Sequence, residues 1–147
     1  MNNYLSIITL NVNGLNAPIK RHRIAEWIRK HDPHICCLQE THLRTKDLHR
    51  LKVKGWKQIF QVNGQGKNAR VAILISDKID FQRRAIKRDP EGHFIIFKGR
   101  IHQEDISIIH IYTPNRGLPK YIKKTLQYFM KDIDSNTIIV GDFNTPL

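Results

Sequence analysis

Cysteine is almost missing from this chain of 147 residues: there are two, Cys36 and Cys37, side by side in the apolar run Ile35-Cys36-Cys37-Leu38. Adjacent cysteines supply neither a disulfide framework nor a zinc-ligand spacing, and in such a run they are expected to pack as small core residues. Long hydrophobic stretches are missing too. No segment reaches the roughly 18 apolar residues that cross a bilayer, and Met1-Asn2-Asn3-Tyr4 opens no basic-then-apolar leader. The expectation is a soluble, intracellular chain, nuclear or cytoplasmic, with no membrane partner. Acidic residues are few, 13 Asp and Glu against 25 Lys and Arg, which leaves a formal charge of +12 before the eight His are counted. Each basic run alone (Lys20 to Lys30, Arg44 to Lys57, Arg83 to Arg88, Arg116 to Lys131) reads as a solvated face, but so large an excess in one small domain is the footprint of a nucleic-acid binder. The phosphate-cradling GxxxxGK[ST] loop, the HExxH helix and the GxSxG elbow are absent, as are internal repeats and low-complexity tracts.

What is present is a set of apolar strands that end in chemistry. Ile138-Ile139-Val140-Gly141 runs into Asp142-Phe143-Asn144 and reads as a buried strand from the middle of a sheet, with Gly141 turning the backbone so that Asp142 and Asn144 face one point. Ile7-Ile8-Thr9-Leu10 runs into Asn11, Ile35-Cys36-Cys37-Leu38 through Gln39 into Glu40, and Ile106-Ser107-Ile108-Ile109-His110-Ile111 into Tyr112. Ligands of α/β proteins collect outside strand ends, so these four ends are taken as the site.

Between them, Tyr4 to Val12 is a strand, Asn13 to Pro18 a loop, and a helix opens at Pro18 with Ile24, Trp27 and Ile28 inward. Asp32-Pro33 ends it, and His34 to Gln39 follows as a strand, which makes a parallel crossover unit. Arg44 to Lys54 reads as a short helix with Leu48 and Leu51 inward; Trp56 to Val62 and Val71 to Ser76 read as a hairpin. Asp77 to Asp89 is polar with little period. His93 to Lys98 and Asp105 to Tyr112 form another strand pair across Gly99 to Glu104. Pro119 opens a helix carrying Ile122, Leu126, Phe129 and Ile133 inward, and the last strand follows.

Glu40 and Asp142 offer carboxylates and Asn11 and Asn144 neutral oxygens, a set of hard ligands suited to one Mg²⁺ that keeps several waters. On a phosphodiester the metal would polarise a phosphoryl oxygen, Asp142 would orient or deprotonate the attacking water, Asn144 would fix Asp142 or the water, and Tyr112 would donate to the phosphate or the leaving group. Each has a plainer reading: Asp142 and Asn144 as turn residues, Glu40 as a surface charge at a helix start, Tyr112 as a strand-end core residue, Asn11 as a cap on the turn before Gly14.

Leu10-Asn11-Val12-Asn13-Gly14-Leu15, Leu38-Gln39-Glu40-Thr41-His42, Ile111-Tyr112-Thr113-Pro114-Asn115 and Gly141-Asp142-Phe143-Asn144 resemble, in order and spacing, the motifs of the endonuclease/exonuclease/phosphatase superfamily. Within it the chain is similar to the apurinic-type endonuclease domain of the second open reading frame of mammalian LINE retrotransposons, and the likeness runs through essentially all 147 residues. The resemblance implies an α/β fold, a four-layer sandwich of two facing mixed sheets with outer helices, and Mg²⁺-dependent hydrolysis of DNA, with Mn²⁺ as an alternative metal. It implies Glu40 as the main metal ligand supported by Asn11, with Tyr112, Asp142 and Asn144 around the scissile phosphate and Asn13, Thr41 and Asn115 toward the nucleic acid. The family's further aspartate, DNA-inserting hairpin and Ser-Asp-His-like motif have no counterpart in these residues. The expectation is therefore that 1–147 is the amino-terminal portion of one domain, its sandwich incomplete, inactive alone and of unknown oligomeric state. Arg70 also stands where the family carries glycine, and it would be strained if that position needs a positive φ. Two rival readings stay open: a catalytically silent basic fragment that binds nucleic acid, and a superfamily phosphodiesterase or phosphatase acting on a lipid head group.

Overall fold

The computed structural model describes residues 4–63, 69–88, 94–112, 124, 127 and 136–142, with Val62, Asn63, Tyr112 and Asp142 described by backbone alone. The chain divides into two compact units, Met1–Asp80 and Phe81–Leu147, and each holds one four-stranded mixed sheet.

In the first unit β1 (Ile7–Asn11) leads through α1 (Pro18–His31) to β2 (Ile35–Gln39). β1 and β2 pair in parallel, from Ile7 opposite Ile35 to Asn11 opposite Gln39, which is the crossover the pattern predicts. Pro18 is the first helical residue, and the helix stops because Asp32 takes a left-handed conformation (φ 50°, ψ 51°) and donates its N–H to Ile28 O. Ala25 and Ile28, helped by Ile24 and Trp27, pack into one cluster with Cys36, Leu38, Ala72 and Leu74. Ile35, Cys37, Ile73 and Ile75 on the alternate positions are also fully buried, so both faces of the central strands are covered.

The helix expected over Arg44 to Lys54 is a single 3-10 segment, Thr45–Arg50, in which buried Asp47 accepts from Arg44 Nε at 2.9 Å and Arg50 Nε at 3.0 Å. Leu51 is buried and Leu48 packs beside it, as the spacing requires. β3 (Gln58–Asn63) and β4 (Ala69–Ile75) pair antiparallel, and the sheet order is β1-β2-β4-β3. Arg70 lies inside β4 and outside the set of positive-φ residues, so the strain expected of it does not arise.

In the second unit the order is β5 (Phe81–Arg88), β6 (Phe94–Ile101), β7 (Glu104–Tyr112), β8 (Thr137–Asp142). β5 corrects the reading of Asp77 to Asp89 as patternless. It is an edge strand with a bulge between Arg83 and Ala85; Gln82 to Ala85 are all exposed, so no alternation survives in its sequence. Its anchor is Phe81, stacked on Phe97 with ring centroids 5.0 Å apart. Gly99 makes the room: a Cβ there would lie 2.3 Å from the Phe81 ring. β6 and β7 run closer together than expected, joined by His102-Gln103 alone, both at positive φ as a two-residue hairpin demands. Phe94, Ile96, Ile109 and Ile111 cluster on one face, while Ile95, Phe97, Ile108 and His110 are buried on the other.

β8 pairs in parallel with β7, from Ser107 opposite Thr137 to Tyr112 opposite Asp142. The expectation of a buried central strand is corrected here. β8 stands at the edge of its sheet, Ile139 is 42% exposed, and Ile138 and Val140 are half-buried. Of the helix expected from Pro119, Lys124 and Gln127 are helical and exposed, and the rest lies outside the described residues.

Candidate active site

Each sheet holds one parallel pair, and the expected site residues stand at the carboxyl ends of those pairs. Asn11 and Gln39 form the last rung of β1 and β2, with Glu40 next; Tyr112 and Asp142 form the last rung of β7 and β8. That a parallel pair aligns two strand ends on the same side is why four separate sequence segments reduce to two structural pairs.

In the first pair the backbone pairing continues past the strands. Val12 N–H donates to Gln39 O at 3.0 Å, Gly14 N–H to Glu40 O at 2.7 Å and Leu15 N–H to Thr41 O at 2.8 Å. On the other side Thr41 N–H donates to Arg70 O at 3.3 Å and Ala69 N–H to Leu43 O at 2.8 Å. Held from both sides, Glu40 takes φ 55°, with Asn13 at 49° and His42 at 52° beside it. A left-handed glutamate costs about 1 kcal/mol or more and persists only where its surroundings fix it, and such outliers gather at functional sites. Glu40 is half-buried.

Asn11 is exposed, and its Oδ1 accepts the Asn13 N–H at 3.0 Å, so the turn-capping reading is correct as far as that bond goes. A carboxamide oxygen has a second lone pair, and a ligand role remains open to it. Asn13 is exposed, and its carbonyl accepts Lys20 Nζ at 2.8 Å. Thr41 is different: it is fully buried, and its hydroxyl donates to Ala69 O at 3.1 Å. A nucleic-acid contact is not open to a side chain so placed, and Thr41 instead ties the Glu40 segment to β4. Asn115 and Asn144 lie outside the described residues, as do the side chains of Tyr112 and Asp142.

Two further residues hold this end of the unit. Lys20 and Arg21 sit in the first turn of α1, where cations oppose the helix dipole. Both point back to the loop: Lys20 to Asn13 O, Arg21 Nη1 to Leu15 O at 2.9 Å and Asn16 O at 2.7 Å. Two cations and no acid in a first turn was the signal that could have marked them.

Among the described residues no three His, Cys, Asp or Glu groups come together as a metal site. One carboxylate with a neighbouring carboxamide is still a sufficient protein contribution for Mg²⁺, which keeps most of its waters, and Glu40 with Asn11 fits that requirement. Cys36 and Cys37 do not enter: both are fully buried, and desolvation pushes the Cys36 thiol up to about 12 and Cys37 higher still. His110, one rung-pair before Tyr112, is fully buried and its pKa is lowered to about 4 by desolvation. No described helix is long and apolar enough to cross a membrane.

The profile of the Endonuclease/Exonuclease/phosphatase family matches residues 8–147. The chain is similar to the transposon TX1 149 kDa protein of Xenopus laevis, 28% identical over 148 residues and 97% of this chain, and to a DNA-(apurinic or apyrimidinic site) endonuclease of Dictyostelium discoideum, 27% identical over 119 residues and 78% of this chain. In fold it is similar to the endonuclease domain of TRAS1, a telomere-specific non-LTR retrotransposon, with a TM-score of 0.67 at 15% identity over 98% of this chain. The α/β sandwich class implied by the motifs is the fold these comparisons carry. The chain spans 11% and 32% of the length of the two relatives and 61% of that structure.

Proposed function

Because the chain belongs to the endonuclease/exonuclease/phosphatase family, we propose that it serves Mg²⁺-dependent hydrolysis of phosphodiesters in DNA, with Mn²⁺ as an alternative metal. The observation that carries the reading is Glu40, a carboxylate fixed in a left-handed backbone at the carboxyl end of the β1–β2 pair. Glu40 holds the metal and Asn11 supports it. When bound, the metal polarises a phosphoryl oxygen and steadies the departing alkoxide. Asp142 orients or deprotonates the attacking water, Asn144, two positions on in sequence, fixes Asp142 or the water, and Tyr112 donates to the phosphate or the leaving group. DNA is favoured over a lipid head group by the +12 charge and by relatives whose names are those of a transposon protein and a DNA endonuclease.

The test is titration calorimetry of Mg²⁺ into the chain and into Glu40→Gln, followed by supercoiled-plasmid nicking in Mg²⁺ and in EDTA. Weak binding that is lost in Glu40→Gln, with any nicking confined to Mg²⁺ and to Glu40, is expected. Equal binding in the variant, or nicking that persists in EDTA, overturns the reading; the first outcome leaves only a basic nucleic-acid binder.

A further inference from the structure

His42 has no part in the reading above, yet its backbone is held as firmly as that of Glu40. Among the described residues six other than glycine have a positive φ, and four of them have a local reason. Asp32 caps α1, His102 and Gln103 form the β6–β7 turn, and Asn13 sits in the turn that Asn11 Oδ1 caps. Glu40 and His42 have no such reason, and they are two residues apart at the carboxyl end of the β1–β2 pair. A left-handed residue with a β-carbon carries a conformational cost that persists only where the surroundings impose it.

What imposes it on His42 is the packing on either side. Thr41 and Leu43 are fully buried; Thr41 O accepts Leu15 N–H and Leu43 O accepts Ala69 N–H, both at 2.8 Å. Between them His42 O accepts Asn16 Nδ2 at 2.8 Å. With its neighbours tied inward, the His42 side chain is turned out to solvent. The ring is placed as well as exposed: a Cβ on Gly14 would lie 3.9 Å from His42 Cδ2, so the imidazole lies beside the loop that leads from Asn11 to α1. Neither ring nitrogen has a partner among the described residues, whereas His31 and His34 are tied at Nδ1 to Trp27 O and to Ser6 N–H. The cations at this end are already directed elsewhere, Lys20 to Asn13 O and Arg21 to Leu15 O and Asn16 O. An imidazole keeps at least one N–H donor whether neutral or charged, and two residues of chain span at most about 7 Å, so this donor stands within reach of whatever binds at Glu40.

Resting on the assignment of the metal to Glu40, we propose that His42 is a phosphate-contacting residue: its ring N–H donates to a non-bridging oxygen of the phosphodiester that the metal holds. The metal takes one oxygen of the phosphate and leaves another facing the protein, and a donor whose backbone is fixed beforehand meets it without reorganisation. The contact requires no change in the protonation of the imidazole.

The probe is the dinucleotide thymidylyl-thymidine, whose single phosphodiester reports this site rather than the overall charge of the chain. Its binding to the full chain is followed through the ring resonances of the histidines, in Mg²⁺ and in EDTA, and compared with His42→Phe and His42→Gln. Both variants keep the β-carbon, so the left-handed cost is the same in all three. In Mg²⁺ the His42 ring is expected to shift while the exposed rings of His22 and His49 do not. His42→Phe should bind the dinucleotide about tenfold more weakly, the loss of one hydrogen bond to a charged oxygen, and His42→Gln, which retains an N–H donor, should recover part of that loss. Calorimetry should give the same Mg²⁺ affinity for all three. If Mg²⁺ strengthens dinucleotide binding through Glu40 but the His42 ring does not shift or His42→Phe binds as the chain does, the metal reading stands and the role of His42 is overturned. If Mg²⁺ changes nothing in the chain or in Glu40→Gln, the metal reading falls and the placement of His42 falls with it. A lowered Mg²⁺ affinity in His42→Phe overturns the phosphate contact in favour of a role at the metal.

Discussion

Replacing Gly141 by alanine tests how the second parallel pair brings Asp142 to its place. Gly141 is at φ +153° in β8, opposite Ile111, and a Cβ there would stand 2.1 Å from Ile111 O and 3.0 Å from its carbonyl carbon. That is more than about 1 Å inside ordinary van der Waals separation. The obstacle is backbone, which cannot rotate away as a side chain would. Relief requires β8 to leave β7 at the Ile111–Gly141 and Tyr112–Asp142 rungs. Two ladder bonds at about 1 kcal/mol each, about 1–2 kcal/mol for the backbone conformation, and overpacking of about 1–3 kcal/mol for whatever overlap remains, come to roughly 3–5 kcal/mol when only part of each is realised. Gly55→Ala is the control: its φ is +98°, but nothing lies within 4 Å of the new Cβ. It incurs the conformational cost alone, about 1–2 kcal/mol. Thermal unfolding at about 2–4 °C per kcal/mol should separate the two by several degrees, and amide exchange in β7 and β8 should rise only in Gly141→Ala. If both variants melt together, the close approach at Ile111 is not what demands glycine.

Glu40→Gly should be more stable than Glu40→Ala by about 1 kcal/mol, because both remove the side chain and only glycine relieves the left-handed conformation, and both should abolish Mg²⁺ binding; equal stability of the two variants would show that the φ of 55° is not strained. Thr41→Val should lose about 1–2 kcal/mol through the unpaired Ala69 carbonyl, with salt-dependent DNA affinity unchanged, read by urea unfolding and anisotropy. His110 stays neutral in the folded chain down to about pH 4 but charges near 6.5 when unfolded, so stability should fall as pH drops through that window, by up to about 3 kcal/mol, and level off below it. His110→Asn should lack that slope in pH-dependent denaturation, whatever its stability at neutral pH. DNA binding should weaken by orders of magnitude between about 50 and 200 mM salt, and a salt-independent affinity measured by anisotropy would contradict the reading of the +12 charge.

The crossover from β1 through α1 to β2 was legible because its signals are local: β-branched runs, Pro18, a 3.6-residue apolar period, Asp32-Pro33. β5 was not, because an exposed edge strand with Arg83, Arg84, Lys87 and Arg88 has no buried face to impose alternation, and its bulge breaks what period remains. Ile138-Ile139-Val140 looked central because hydrophobicity marks a strand without marking how many neighbours it has; among the described residues β8 has one, β7. Gly141 was read as a turn, whereas its role is close approach to Ile111, a tertiary fact with no local trace. At the site, the residue types at strand ends could be read and their surroundings could not. Nothing about a glutamate announces φ 55°, and nothing about Thr41 announces that it is buried against Ala69 rather than turned toward nucleic acid.

The claim on which the account depends is that a divalent metal is held at Glu40. Mn²⁺ titration with observation of paramagnetic broadening tests it directly. The amides of Asn13, Gly14 and Thr41, which flank Glu40 in the extended β1–β2 pairing, should broaden first at low Mn²⁺ and recover in excess Mg²⁺. In Glu40→Gln they should stay sharp. Broadening that begins instead at the exposed carboxylates Asp77 and Asp80, and that is the same in Glu40→Gln, would contradict it.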